Sequence, residues 1–373
     1  MKRKALAVTF LASALLLLST PSFGQHYVTT PLVSNVAGRA PVIDPHLQNP
    51  WGLVASPTSP WWIANNAGGT STLYNGAGQI VPLVVTIPNA PSQPAPGSPT
   101  SVMFNGSSTD FLLAPGKRAV FIFVTEDGTV QGWNPAVKPT TAVIEVDNSQ
   151  NPTPADGAVY KGATIAEIDG NKFILAANFR SGRIDVFDTN FKQVHRVRSD
   201  DDNAFDDDRI ADGFAPFNVQ AIGPNIYVTY AKQDAAKHDP VGGASLGFVK
   251  VFNTHGSLLQ RLQHGSWFNA PWGVVLTPGN FGEFSHAILV GQFRDGTIAA
   301  FNPVTGRFMG NVLNPDSTTF TSSGLWALRF GAGNTNSGSA TTLFFTAGPD
   351  DEKNGLFATL TPVAGELAEA DEQ

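Results

Sequence analysis

Leu73-Tyr74-Asn75, Gly132-Trp133-Asn134, Val186-Phe187-Asp188, Val251-Phe252-Asn253 and Ala300-Phe301-Asn302 are five copies of one phrase, an aromatic residue followed by Asn or Asp. Most copies follow a Gly-bounded turn and an alternating apolar run. Recurrence at about 50 residues is the signature of a radially repeated β-sheet protein.

Three further columns align with the phrase. An inner-strand column reads Asn49-Pro50-Trp51-Gly52-Leu53, Ala215-Pro216-Phe217-Asn218-Val219 and Ala270-Pro271-Trp272-Gly273-Val274, with weaker copies around Thr100, Gly162 and Trp326. Alignment on Trp51, Thr100, Gly162, Phe217, Trp272 and Trp326 defines six units about 55 residues apart, within the propeller range. A second-strand column follows at 61–65, 119–124, 172–177, 226–230, 287–290 and 342–346. These are β-branched and aromatic runs bounded by Gly, Pro and Asn. The aromatic-Asn phrase ends the third strand, and 83–87, 142–146, 193–197, 258–262 and 308–312 supply a fourth. Four strands in each of six units predict an all-β, six-bladed β-propeller of antiparallel blades.

The sixth unit lacks a fourth strand after Leu356–Leu360, while residues 27–33 form an orphan strand before the first unit. The N-terminal strand is therefore expected to complete the last blade and close the ring, leaving no open edge.

Residues 1–24 read as a signal peptide: Lys2-Arg3-Lys4, an apolar run from Ala5 to Leu18, and small residues at Ser22 and Gly24. A short N-terminal anchor is the alternative. The run is too short to span a bilayer, and no later segment is long enough. Export to the periplasm or the extracellular space is expected, with one propeller domain over 25–363 and a solvated, disordered acidic tail over 364–373. Loss of three basic residues with the leader takes the formal charge from −7 to −10. That balance argues against nucleic-acid binding, which needs a basic footprint. With no cysteine in the chain, stability must come from buried area rather than disulfides. A monomer is expected.

In an up-and-down blade, the second-to-third turns share a face with the crossings between blades. The crossings are the long segments here, at 88–100, 147–160, 199–215, 263–270 and 314–323. Long loops on one face of a rigid scaffold are where binding residues concentrate. Two turns on that face nearly match: Asn178-Phe179-Arg180-Ser181-Gly182 and Gln292-Phe293-Arg294-Asp295-Gly296. Arg180 and Arg294 are either anion donors beside the channel or struts between blades that pair with acidic loop residues, and repetition favours struts. Asn49, Asn66, Asn178, Asn218, Asn269 and Gln292 stand at strand ends near the expected channel mouth. Their amide oxygens suit a hard cation such as Ca²⁺, though amides more often satisfy turn and strand-end backbone.

Other candidates are weaker. Asp200-Asp201-Asp202-Asn203 and Asp206-Asp207-Asp208 lack the spacing that wraps one Ca²⁺ ion, and Asp350-Asp351-Glu352 reads as a solvated charge run. There is no Gly-x-Ser-x-Gly elbow, and the seven histidines are scattered singly. His238 and His264 fall in loops of the long-loop face. Trp51, Trp272 and Trp326 share one column and read as packing residues rather than a substrate platform.

The phrases Asn49-Pro50-Trp51-Gly52-Leu53, Trp62-Ile63-Ala64-Asn65-Asn66, Gly213-Phe214-Ala215-Pro216-Phe217-Asn218-Val219, Asn269-Ala270-Pro271-Trp272-Gly273 and Gly324-Leu325-Trp326-Ala327-Leu328 resemble a family of exported bacterial propellers, some with a PEP-CTERM sorting anchor. The acidic tail has no Pro-Glu-Pro and no terminal apolar helix, so that route of surface sorting is not expected. More loosely, the chain is similar to NHL-repeat propellers and to the gluconolactonase and calcium-dependent phosphotriesterase superfamily. That second likeness implies a divalent cation in the channel, held by Glu, Asn and Asp. The inner-strand starts here offer Asn or Ala and no equivalent Glu, so no catalytic residue is carried over. Two functions follow. The favoured one is an exported scaffold binding a small molecule or an extracytoplasmic protein through the long-loop face. The other is a divalent-metal-dependent lactonase or phosphotriesterase in the same channel.

Overall fold

The structure, a computed structural model, describes residues 26–194, 205, 210–364 and 366. Residues 1–25, which include the segment read as a signal peptide, the acidic run at 200–208 other than Phe205, His195 and the tail beyond Glu366 lie outside the described residues.

Six antiparallel sheets are arranged as a six-bladed propeller. In the first blade Pro50–Val54 is innermost, followed outward by Trp61–Asn65, Thr70–Tyr74 and Ile80–Thr86. The second-strand runs Trp61–Asn65, Phe121–Thr125, Ile288–Gln292 and Leu343–Ala347 are buried at every position. Both faces of each blade are covered by neighbouring blades, so these strands read as continuous apolar runs rather than alternating ones. Outer strands face solvent more, as in Ile80–Thr86. Three blades carry additions: a Leu112–Ala114/Lys117–Arg118 hairpin in the second, Pro240–Val241 paired to the second strand of the fourth, and Val42–Ile43 paired parallel to Tyr27–Ser34 in the sixth.

The ring closes as expected. Tyr27–Ser34 pairs antiparallel with Leu356–Pro362, from Tyr27 opposite Pro362 to Ser34 opposite Leu356. A bulge accommodates Pro31, which has no N–H to donate. Tyr27 Oη donates to the Phe281 carbonyl of the fifth blade at 2.9 Å, and the Ser34 hydroxyl to Gly355 O at 2.7 Å. The start of the tail is not free: Glu366 accepts from the His26 N–H at 2.7 Å and meets its Nδ1 at 2.8 Å.

Pairing registers correct one column of the sequence alignment. Pro50, Tyr160, Pro271 and Leu325 are each followed by two bulged residues before pairing resumes. Those bulges are Trp51-Gly52, Lys161-Gly162, Trp272-Gly273 and Trp326-Ala327. Lys161, not Gly162, therefore occupies the tryptophan position of the third blade. The bulge glycines lie where the first, third and fifth blades approach the next inner strand. A Cβ on Gly52 would stand 2.7 Å from Val102 N, on Gly162 2.1 Å from Asn218 Oδ1, and on Gly273 2.4 Å from Trp326 O.

Candidate functional site

The bulges aim large side chains at the propeller axis, where they close the channel. Trp51 and Trp326 stack with centroids 3.5 Å apart, and Trp272 stands edge-on to both, at 6.2 and 5.7 Å. Phe293 stacks on Trp326 at 4.0 Å, and Phe217 packs between Phe179 and Trp326. All three tryptophans are buried, so they form a plug and offer no open face.

Lys161 replaces a tryptophan in this ring of plug residues. Its side chain has no solvent exposure, and its ammonium lies over the Trp51 ring at 5.4 Å and the Phe179 ring at 6.0 Å. A buried ammonium is stable only if paired. Nζ donates to Glu126 Oε1 and, at 3.0 Å, to Asp239 Oδ1. Burial alone would pull the lysine pKa down; the two carboxylates outweigh it and hold it above its usual value.

From Lys161 a chain of contacts runs around the mouth on the long-loop face. Glu126 Oε2 accepts from Asn66 Nδ2 at 2.7 Å, and Asn66 Oδ1 accepts from Asn49 Nδ2 at 3.3 Å. Asn49 Nδ2 also donates to Glu352 Oε2 at 2.8 Å, while Asn49 Oδ1 accepts from Trp326 Nε1 at 3.1 Å. On the other side His238 Nδ1 lies 3.1 Å from Asp239 Oδ1. The hydrogen bond from His238, with Lys161 adding to it, holds the Asp239 carboxyl well below the usual range. Arg294 donates to Pro240 O beside Asp239 and covers the Phe293 ring at 4.8 Å. Glu352 of the sixth blade, Asn49 and Asn66 of the first, Glu126 of the second, Lys161 of the third, His238 and Asp239 of the fourth and Arg294 of the fifth thus surround one mouth. Every blade contributes.

Glu352 corrects the reading of Asp350-Asp351-Glu352 as a solvated run. Its carboxyl is pushed up by burial and by the charge of Glu126, against the Asn49 hydrogen bond and the cations Lys161 and Arg294. Asp350, Asp351 and Glu352 have φ of 60°, 55° and 65°, three consecutive left-handed residues without a glycine. Such backbone persists only where its surroundings over-determine it. Here Arg39 Nη1 and Asn354 Nδ2 both donate to Asp350 Oδ2 at 2.8 Å, and Asn49 N–H donates to Asn354 O.

The other sequence candidates are occupied by structural work. Asn178 donates to Asp185 Oδ2 at 2.9 Å and accepts from Val159 and Ser181 N–H. Asn218 donates to Trp272 O at 2.9 Å and accepts from Val219 N–H. Asn269 accepts from Gly243 N–H and donates to Asp295; Gln292 accepts from Asn269 N–H and donates to Val290 O. Arg180 donates to Gly157 O at 3.0 Å. Both arginines are struts, but to backbone carbonyls rather than to the acidic loop residues expected of struts. Sequence reading missed Glu126, Lys161, Glu352 and Asp239. Glu126 and Glu352 lie in the same class of second-to-third turn that drew attention to Arg180 and Arg294, so aligning all six turns would have exposed them.

Among the described residues, Glu126, His238 and Asp239 form one group whose ligating atoms lie within 4.8 Å of one another. The Lys161 ammonium donates to two of the three, so it already supplies the positive charge that a metal ion would bring.

Fold and site define a closed-channel, six-bladed propeller with a charged mouth over a tryptophan plug. No family model matches the chain. The uncharacterised protein L690 of Acanthamoeba polyphaga mimivirus is 30% identical over 337 residues, covering 88% of this chain and 84% of its own length. The chain belongs to the family of L690. A second mimivirus protein, R648, is 29% identical over 333 residues, covering 88% of this chain and 78% of its own. These relatives are viral and lend no support to a bacterial or PEP-CTERM origin. Among solved structures, a glucose dehydrogenase superposes with TM-score 0.54 at 12% identity, covering 89% of this chain and 98% of that one. A Bacteroides thetaiotaomicron protein of unknown function gives 0.55 at 8% identity, covering 91% and 76%. Likeness at this identity concerns the fold alone.

Proposed function

We propose that this propeller is an exported binding scaffold whose central mouth takes a small, neutral or cationic, hydrogen-bonding ligand. The observation that carries the reading is the Glu352–Asn49–Asn66–Glu126–Lys161–Asp239–His238 contact chain, with Arg294 bonded to Pro240 O beside Asp239. Three carboxyl groups against two fixed cations disfavour an anionic ligand. The strained turn that presents Glu352 supports a functional demand on that carboxyl, because strain clusters at ligand clamps. Export rests on the basic start and apolar run of residues 1–24.

The experiment is a thermal-shift and calorimetric survey of polyols, sugars and small amines against wild-type protein, Glu352→Gln and Asn49→Ala. A ligand that stabilises wild type and loses at least about tenfold in affinity in both variants, a difference of about 1.4 kcal/mol, supports the mouth as the site. Ligand binding that is indifferent to both substitutions overturns it.

The metal-dependent hydrolase reading keeps one specific support, the proximity of Glu126, His238 and Asp239. For a divalent ion to enter there, the Lys161 ammonium must leave or lose its proton, against the pull of both carboxylates. Stoichiometric metal in purified protein, with lactone or phosphoester turnover lost in His238→Ala, would replace the binding reading.

A further inference from the structure

A second cluster of reactive groups stands away from the mouth, at the outer rim of the seam between the fifth and sixth blades. His26 directly precedes the closing strand and is fixed by backbone on both sides. Tyr27 N–H donates to Leu313 O at 2.8 Å, and Val363 N–H donates to His26 O at 2.9 Å. Glu366 grips the same residue with both oxygens, Oε2 accepting from the His26 N–H at 2.7 Å and Oε1 lying 2.8 Å from Nδ1. The other ring nitrogen, Nε2, lies 2.9 Å from the Ser317 hydroxyl. A serine, a histidine and a carboxylate thus stand in line, brought from segments up to 340 positions apart.

The partners fix the hydrogen-bond roles. A carboxylate only accepts, so Nδ1 carries the ring proton and Nε2 presents its lone pair to the Ser317 O–H. That is the nucleophile–base–orienter arrangement of acyl transfer, which is recognised by geometry and not by chain order. The His26 side chain is nearly enclosed, with 10% exposure, while Ser317 is open to solvent. Ser317 has φ of 64°, a left-handed conformation that serine rarely adopts. It is held by a turn in which Asn314 N–H donates to Thr318 O and Ser317 N–H to Asn314 O. The charge of neighbouring Asp316 reaches His26, so an imidazolium formed here faces two carboxylates. Glu366 and the backbone bonds suffice to clasp the chain ends. The bond to an exposed hydroxyl adds little to that clasp, because water replaces it at almost no cost.

We propose that Ser317, His26 and Glu366 form a second reactive site, in which Ser317 is acylated by activated, uncharged esters. Ser317 Oγ attacks the ester carbonyl carbon as its proton passes to His26 Nε2. The C–O bond to the leaving group breaks, and His26 returns the proton to the departing oxygen. Water, giving its proton to the same nitrogen, then hydrolyses the acyl-serine to the free acid. Glu366 is a positioning residue that acts through the ring. The N–H groups of Ser317 and Thr318 are already donated, to Asn314 O and Asp316 Oδ1, and a missing oxyanion donor costs about 10²–10³ in rate. The site is therefore confined to esters with a stable leaving group such as a phenolate, and the two carboxylates turn away anionic acyl groups.

The test is incubation of the full chain with 4-nitrophenyl acetate, followed by intact-mass and peptide-mapping spectrometry, with phenolate release read by absorbance. Wild type should carry an acetyl group mapped to Ser317, a measurement that needs no variant to fold. Ser317→Ala should carry none in that turn, and His26→Gln should slow phenolate release on the order of a hundredfold. Glu366→Gln should slow release and move its pH profile to lower pH, because the imidazolium loses a counter-charge; a merely structural clasp would leave the profile in place. Absence of acetyl-Ser317 in wild type, an unchanged rate in His26→Gln, or an unmoved profile in Glu366→Gln would overturn the proposal.

Discussion

Lys161 shows how much one position can change. In a ring of aromatic plug residues it introduces a charge with no solvent exposure, and that charge recruits Glu126 and Asp239 from neighbouring blades. Removing one member of a buried pair leaves an uncompensated charge and costs about 3–5 kcal/mol. Glu126→Gln strands the fully buried Lys161 ammonium and should therefore destabilise by about 3 kcal/mol, and the Lys161→Met/Glu126→Gln double variant by clearly less, measured by urea unfolding. Additive losses would mean that the pair is not coupled. Asp127, next to Glu126, offers a pH test. Burial pushes its carboxyl up to about 6, with the Glu126 charge adding to the rise and the Ser98 N–H opposing it. An unfolded Asp titrates near 3.9, so the folded chain holds a proton that the unfolded chain has already lost between there and about 6. The associated stability is fully present below about 3.9 and is lost as pH rises through 6. Asp127 keeps partial solvent contact, so Asp127→Asn should gain only on the order of 1 kcal/mol at pH 7.5. The gain should disappear at pH 4, as read by denaturation at both pH values.

At the scale of the strand, the two-residue bulge decides what reaches the axis. It turns Trp51, Lys161, Trp272 and Trp326 inward, and in three of those four blades a glycine follows because the next inner strand leaves no room for a Cβ. Ala327 stands at that position in the sixth blade. Gly273→Ala should accordingly cost about 1–3 kcal/mol through overpacking against the Trp326 carbonyl, whereas Ala327→Gly should cost no more than about 1 kcal/mol. Unfolding midpoints of the two variants check this; equal losses would mean the close approach is not what the glycine serves. This level was only half legible in the sequence. Pro-Trp-Gly announces a strand start with tight packing, but Tyr160-Lys161-Gly162 shifts by one residue when aligned on its glycine, and the lysine then drops out of the column. Cross-strand pairing, Tyr160 opposite Asn178 and Ala163 opposite Ala176, sets the register that no local pattern contains.

For the whole molecule, closure is the controlling feature. Tyr27–Ser34 covers the edge of Leu356–Pro362, joining the two ends of the chain in one sheet. A chain beginning at Ala37 should expose that edge, lose its single cooperative unfolding transition and associate through the unpaired strand, visible in size exclusion and denaturant curves. A cooperative monomer of unchanged midpoint would show the N-terminal strand to be dispensable. The described residues include no helix long and apolar enough to cross a membrane.

Sequence by itself determined the architecture of this protein: the number of blades, the strands in each, and the closure by an N-terminal strand. Those follow from periodicity, because each blade must bury both faces against the next and repeats the same apolar runs to do so. Only the tertiary structure decided which residues meet at the mouth. Glu126, Lys161, Asp239 and Glu352 come from four blades, separated by up to 226 positions between Glu126 and Glu352, and no local spacing relates them. The ring brings them within hydrogen-bonding reach of one another or of shared asparagines, and the fully buried Lys161 ammonium beside the plug couples residue types that are ordinary on a surface into one charged site.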